Sequence, residues 1–196
     1  MIMRRLSVLS SALFGVLLLA AMPAQAGPRA YNWQSEGSTV GFVLDFGEDE
    51  VSGNMPVAQA DLQLDFATPS RSAVHVTVDA SQAQSSIPFV VEALKGPGVL
   101  DTANTPMLSF ESRKTTETGR GQARIDGDIT VRGVTRPISL NAQLYRPEGS
   151  ERGDLSNLTI VLTGALSRAD FGATGWSDMV GDEVRLTIRA HIQEAS

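Results

Sequence analysis

Few residues of this chain are equipped for chemistry, and their spacing decides what they could do. There are two histidines, His75 and His191, and no cysteine. Neither histidine stands at the i, i+4 spacing from a second ligand that builds a zinc site, so no metal centre is expected. Without a thiol, disulfide and thiolate chemistry are excluded. Gly175-Trp176-Ser177-Asp178-Met179 approaches the nucleophile elbow G-x-S-x-G, but Met179 stands in place of the second glycine. Gly119-Arg120-Gly121-Gln122-Ala123-Arg124 departs in the same way from a dinucleotide fingerprint, and it leads into a strand pattern instead of a helix. Asp126 and Asp128 share one face of a strand. Paired carboxylates do acid–base work when one is desolvated; with Arg124 and Arg132 at hand, these two read as a solvated, charged face. Asn157-Leu158-Thr159 matches a glycosylation sequon, a motif too short to carry weight. The expectation is a chain with no catalytic residues, no cofactor and no metal, and not an enzyme; a stress-related structural module and, behind it, a lipid-modifying enzyme are the alternatives.

One constellation remains. Arg168-x-Asp170-Phe171-Gly172 sets an arginine and a carboxylate between an apolar strand and a glycine, with Trp176 close behind. This is the pattern of a fixed corner, in which Asp170 accepts backbone N–H groups and Arg168 pairs with it. Arg168, Asp170, Phe171 and Trp176 are read as structural, with ligand anchoring as the alternative. On the structural reading, Asp170→Ala would cost about 1–3 kcal/mol through backbone donors left without an acceptor.

The elements that would hold these residues are strands. Apolar side chains alternate with polar ones over Ser38–Phe46, Ala58–Phe66, Ser72–Asp79, Met107–Lys114, Ile125–Val131, Ile138–Tyr145, Leu158–Leu166 and Asp182–Gln193. Period-two alternation means one buried and one wet face per strand. A short apolar entry spans Tyr31–Gln34, and Val51–Asn54 adds a short strand. Gly133 permits the tight turn between Val131 and Val134, and Pro137 belongs near a strand start or an edge. Only Ala80–Pro106 breaks the series. Within it, Pro88 followed by Phe89–Lys95 reads as a short helix ended by Gly96-Pro97-Gly98. That segment is either a plain crossover loop or a lid over one end of the sheet. Eight or so amphipathic strands with turns between them indicate a sandwich or a barrel, and barrel closure would also remove exposed strand edges.

The chain has 196 residues. Residues 1–26 carry Arg4 and Arg5, an apolar run over Leu6–Ala21 and a small-residue site at Ala24-Gln25-Ala26, the layout of a cleaved secretory signal peptide. The apolar run is short of the roughly 20 residues that span a bilayer. The domain is then 27–196, exported, with no integral membrane segment after cleavage. Formal net charge is −6, and loss of Arg4 and Arg5 makes it two units more negative. Nucleic acid is excluded as a partner, because phosphates require a basic surface.

Gly127-x-Ile129-Thr130-Val131-x-Gly133-Val134-Thr135-Arg136-Pro137-Ile138 resembles the central signature of the YceI-like family. Trp33 with Ser38–Phe42, Pro106–Ser112, Arg168–Gly172 and Val180–Val184 are similar to further family segments in the same order. Two places depart: Gly37 precedes Ser38 where the family carries His, and Leu94–Asp101 lacks the family's paired aromatics. The resemblance implies an all-β, eight-stranded antiparallel, lipocalin-like barrel with one short helix, in a periplasmic protein that binds polyisoprenoids. The partner it implies is a long-chain isoprenoid or fatty lipid, whether a polyprenyl phosphate, an isoprenoid quinone or a fatty amide. Shared alternation and the family's barrel together place Phe42, Leu44, Leu62, Leu64, Leu108, Phe110, Ile129, Leu140, Leu162 and Leu186 inward, lining a ligand lumen. A barrel of about eight strands either fills with side chains or holds one ligand, and both outcomes stay open at this point, as does a homodimer.

Overall fold

The computed structural model describes residues 27–85 and 87–195; the expected signal peptide lies outside the described residues. The strands are β1 (Arg29–Phe46), β2 (Asp49–Met55), β3 (Val57–Leu64), β4 (Ala73–Asp79) and β5 (Gln84–Ser85). Helix α1 (Pro88–Lys95) follows, and then β6 (Met107–Gly119), β7 (Gln122–Val131), β8 (Val134–Tyr145), β9 (Asn157–Ser167) and β10 (Val180–Glu194). Neighbours pair in the order β10-β9-β8-β7-β6-β4-β3-β1, and β1 pairs back onto β10, so the sheet closes into an eight-stranded antiparallel barrel. β2 extends the β3 stave. Pro56 lies between them, and the two pair with opposite ends of β1, through Arg29–Tyr31 and Val40–Phe46. β5 adds a short edge to β2.

Local chemistry accounts for the boundaries. The two expected entry segments form one strand, β1. Its register against β10 slips between Gln34 and Thr39, at a bulge where Gly37 adopts a φ of +79°. β3 stops at Leu64, short of the expected Phe66, because Asp65 turns the chain: its carboxylate accepts the Ala67 and Thr68 N–H groups at 3.0 and 2.7 Å. β6 runs to Gly119 instead of ending at Lys114, carried by its ladder with β7. The β7–β8 hairpin closes on Arg132 and Gly133, both left-handed at +53° and +73°. That is the two-residue turn whose twist matches the strands.

Two apolar clusters occupy the two ends of the barrel. One packs Leu44, Val51, Val90, Leu94, Leu100 and Phe171 beneath α1. The other packs Tyr31, Leu62, Leu64, Leu158, Ala190 and Ile192 at the opposite end. Leu158 and Ile192 there are fully buried.

Hydrogen-bonded carboxylates set a pH limit on this fold. The Asp79 carboxylate accepts the Ser81 hydroxyl, the Ser81 N–H and the Gln82 amide. The Ser81 hydroxyl above all holds its pKa below the ordinary carboxylate value. Asp126, Asp154 and Asp182 shift the same way, through the hydroxyl of Ser139, the backbone of Ser156 and the hydroxyl of Ser167 respectively. With folded values depressed, the unfolded chain binds protons first as pH falls. The stabilisation is complete above about pH 4, the unfolded value, and is lost as pH drops through the folded values. The urea midpoint should stay level from pH 7 to 5 and fall below about pH 4; a midpoint unchanged at pH 3 would contradict this account.

Candidate functional site

The barrel encloses a cavity of about 240 Å³. Phe42 and Leu44 of β1 reach it, as do Leu62 and Leu64 of β3, Leu108 and Phe110 of β6, Ile129 of β7, Leu140 of β8, Leu162 of β9 and Leu186 of β10. All ten positions assigned inward from the sequence therefore stand on its wall. Glycine makes room for some of them: a Cβ at Gly127 would lie 2.7 Å from two Phe110 ring carbons and closer still to the Glu111 carbonyl. The wall also holds residues outside those ten, and three sets of them are instructive. Val74, Val76 and Val78 were visible as an apolar face. Leu94, Val99 and Leu100 sit in the aperiodic segment, where no period could flag them. Arg168, the one charged residue of the wall, had been assigned to a corner.

The Ala80–Pro106 segment caps one end of the lumen. It is tied in place from outside the segment. The Arg132 guanidinium at the β7–β8 hairpin tip donates to the Pro97 and Val99 carbonyls at 2.7 and 2.6 Å. Gly175 N–H donates to the Gly98 carbonyl at 2.7 Å. Beyond this cap lies a hollow of about 40 Å³ beside Phe46, Phe89 and Trp176; it shares Leu44, Leu94, Val99 and Arg168 with the lumen. Phe89 and Trp176 are about half exposed, meet edge to face at 6.3 Å, and Phe89 meets Phe46 at 6.5 Å. Trp176 takes a left-handed φ of +61°, a conformation bulky residues rarely hold.

The corner differs from expectation. Arg168 does not pair with Asp170. It is 6% exposed and donates to four main-chain carbonyls: Gly181 from Nε, Ala173 and Gly175 from Nη1, and Val180 from Nη2. Asp170 is exposed and accepts no backbone N–H among the described residues, contrary to the expectation. The accepting carboxylate is Asp182, which takes the Ala169 N–H at 2.9 Å. It also takes the Ser167 hydroxyl, the larger cause of its lowered pKa. β9–β10 pairing brings Asp182 across from the corner, thirteen residues away in sequence. Phe171 is buried against the cavity, whereas Trp176 faces outward. Asp182→Ala should therefore cost about 0.5–2 kcal/mol as a lost cap, and Asp170→Ala should stay within about 0.5 kcal/mol. Equilibrium unfolding of the two variants checks this; the reverse order of effects would overturn the assignment.

The outer face is a solvated ionic surface. Asp128 pairs with Arg113, and Asp126 pairs with Arg124 at 2.8 Å and accepts the Ser139 hydroxyl. Arg132 takes no part in it. Among the described residues, no three His, Cys, Asp or Glu side chains converge as a metal site, and no helix is long and apolar enough to cross a membrane.

Residues 31–192 match the family model of the YceI-like domain. A UPF0312 protein of Shewanella putrefaciens is 30% identical over 135 residues, which are 68% of this chain and 71% of that protein. The crystal structure of Burkholderia cenocepacia BcnA aligns with a TM-score of 0.72 at 16% identity, over 82% of this chain and 99% of its own. A polyisoprenoid binding domain from Saccharophagus degradans, implicated in plant cell wall breakdown, aligns with a TM-score of 0.62 at 11% identity, over 85% and 99%. Likeness to these two structures concerns the fold.

Proposed function

We propose, from the premise that this chain belongs to the YceI-like domain family, that it is a periplasmic binding or carrier protein for a long-chain amphiphile and not an enzyme. The tail lies in the lumen and the polar end is held toward the α1 cap. The observation that carries this reading is the cavity wall, to which every stave of the barrel contributes apolar side chains around unfilled space. An open cavity whose exposed wall is apolar gains by taking up hydrocarbon. The export segment over residues 1–26 supports the location, and the polyisoprenoid binding of the Saccharophagus degradans neighbour supports the ligand class.

Size refines the reading. At about 240 Å³ the lumen exceeds the roughly 150 Å³ that admits benzene, yet falls below the roughly 300–1,000 Å³ of small-molecule sites. With the cap closed it takes part of a chain. A longer tail needs Leu94 and Val99 to withdraw, which joins the lumen to the hollow beside Phe89 and Trp176. Protein purified gently from its native compartment should release a long-chain lipid on solvent extraction, read by mass spectrometry, and stripped protein should take up polyprenyl, quinone or fatty-amide ligands. If no lipid rises above background and none of these is taken up, the barrel is a structural module and the carrier reading fails.

A further inference from the structure

The β7–β8 turn holds a residue where few side chains fit. Arg132 adopts a φ of +53°, ahead of Gly133 at +73°. Asn is the favoured first residue of such a turn, and Arg there is uncommon. A residue held outside its preferred conformation points to a use for its side chain. Here the side chain crosses to the cap, where Nη1 donates to the Pro97 and Val99 carbonyls at 2.7 and 2.6 Å. On the other side of the same strap, the Gly175 N–H donates to the Gly98 carbonyl at 2.7 Å. The strap is one body with the end of α1. The Leu100, Asp101 and Thr102 N–H groups donate to the Leu94, Gly96 and Lys95 carbonyls at 2.9, 2.9 and 3.1 Å. Arg132 and Gly175 therefore grip this body from outside. What they hold shut is the boundary between two spaces, since Leu94 and Val99 line both the lumen and the outer hollow. The opposite end of the barrel packs around fully buried Leu158 and Ile192.

We propose that Arg132 is the latch of the cap and sets the length of tail that the barrel accepts. This rests on the carrier reading and adds selection by length to it. A short tail lies within the closed lumen of about 240 Å³. A longer one extends toward the cap, away from the packed end, and must lift the strap. Lifting it breaks two charge-assisted hydrogen bonds, which are the strong kind. That cost is subtracted from the affinity of long tails. The latch closes again over a short tail, so the affinity of short tails does not carry it. Arg132 touches no ligand on this account. It acts through the strap, as a positioning residue.

Arg132→Asn removes the latch and keeps the turn, because Asn-Gly suits these two backbone positions best. Gly175→Ala loosens the strap from its other side: a Cβ there would lie 2.9 Å from the Gly98 carbonyl oxygen and 3.0 Å from its carbon. Thermal unfolding establishes that both variants are folded. Octanoate and hexadecanoate, each below its micellar concentration, are then titrated against wild type and both variants by tryptophan fluorescence. Trp33 lies on the lumen wall and Trp176 on the hollow, so the two spaces report themselves. Hexadecanoate should bind Arg132→Asn about 10- to 100-fold more tightly than wild type, and octanoate should bind both alike. Gly175→Ala should favour hexadecanoate in the same direction. An unchanged hexadecanoate affinity in Arg132→Asn, or an equal change at both tail lengths, overturns the latch. So does a gain in Arg132→Asn that Gly175→Ala does not share, since the effect then belongs to the arginine and not to the strap. If wild type and both variants bind neither fatty acid, the carrier reading falls and takes this inference with it.

Discussion

Arg168→Met should lower the unfolding free energy by about 3–5 kcal/mol. The substitution keeps an apolar stem of similar length and removes every donor. It strands the carbonyls of Ala173, Gly175, Val180 and Gly181, which now share one guanidinium. Each buried carbonyl left unpaired costs about 1–3 kcal/mol, and those that reach water on relaxation lower the sum. Removing a buried charge acts the other way, since the desolvation cost disappears with it. The carbonyls decide the sign, because four of them are arranged around one cation. Arg168→Lys should fall between wild type and Met: an ammonium keeps the charge but cannot span four acceptors from one planar fork. Urea unfolding at pH 7 reads all three. A loss under about 1 kcal/mol for Met would show that the 168–181 loop holds its shape without the guanidinium.

Phe110→Asp should abolish ligand uptake. Phe110 lies level with Val76 on one side and Ile129 on the other, with its ring over Gly127. A carboxylate there has no partner within the apolar wall. It costs several kcal/mol or takes up a proton, and in either state it places a polar group where the tail must lie. Losing the ring adds about 3–5 kcal/mol of destabilisation, so binding must be compared with thermal unfolding of the same sample. Two companions separate the causes. Phe110→Leu keeps the wall apolar and should retain uptake at reduced stability. Glu111→Lys lies on the outward face of the same strand, level with His75 and Asp128, and should change neither by more than about 0.5 kcal/mol. Wild-type uptake by folded Phe110→Asp would mean that the chain does not enter the lumen at this level.

What could be read from the sequence follows from how a strand displays its side chains. In a closed sheet with one apolar face, the phase of alternation decides which side chains turn inward. Phe42, Leu62, Phe110 and Leu140 could be assigned without knowing a single contact. The Arg132-Gly133 turn was visible through its glycine alone; that Arg132 is itself left-handed and reaches Pro97 and Val99 was not, because the contact joins positions more than thirty residues apart. Asp182 escaped for the same reason. Its role depends on β9–β10 pairing, whereas Asp170 was the carboxylate nearest Arg168 in the chain. The far half of β6 gave no signal, since Thr115-Thr116-Glu117-Thr118 has no apolar alternation and is held by the ladder with β7. Leu94 and Leu100 belong to a helix end and a loop, where burial leaves no period to detect.

The central claim is that a hydrocarbon chain occupies the lumen, and a crystal structure of protein purified without stripping and then soaked with decanoate tests it most directly. Continuous elongated density is expected between Phe42, Phe110 and Leu140, extending toward Leu94 at the α1 end. A lumen closed by its own side chains, with no such density after soaking, would contradict the account.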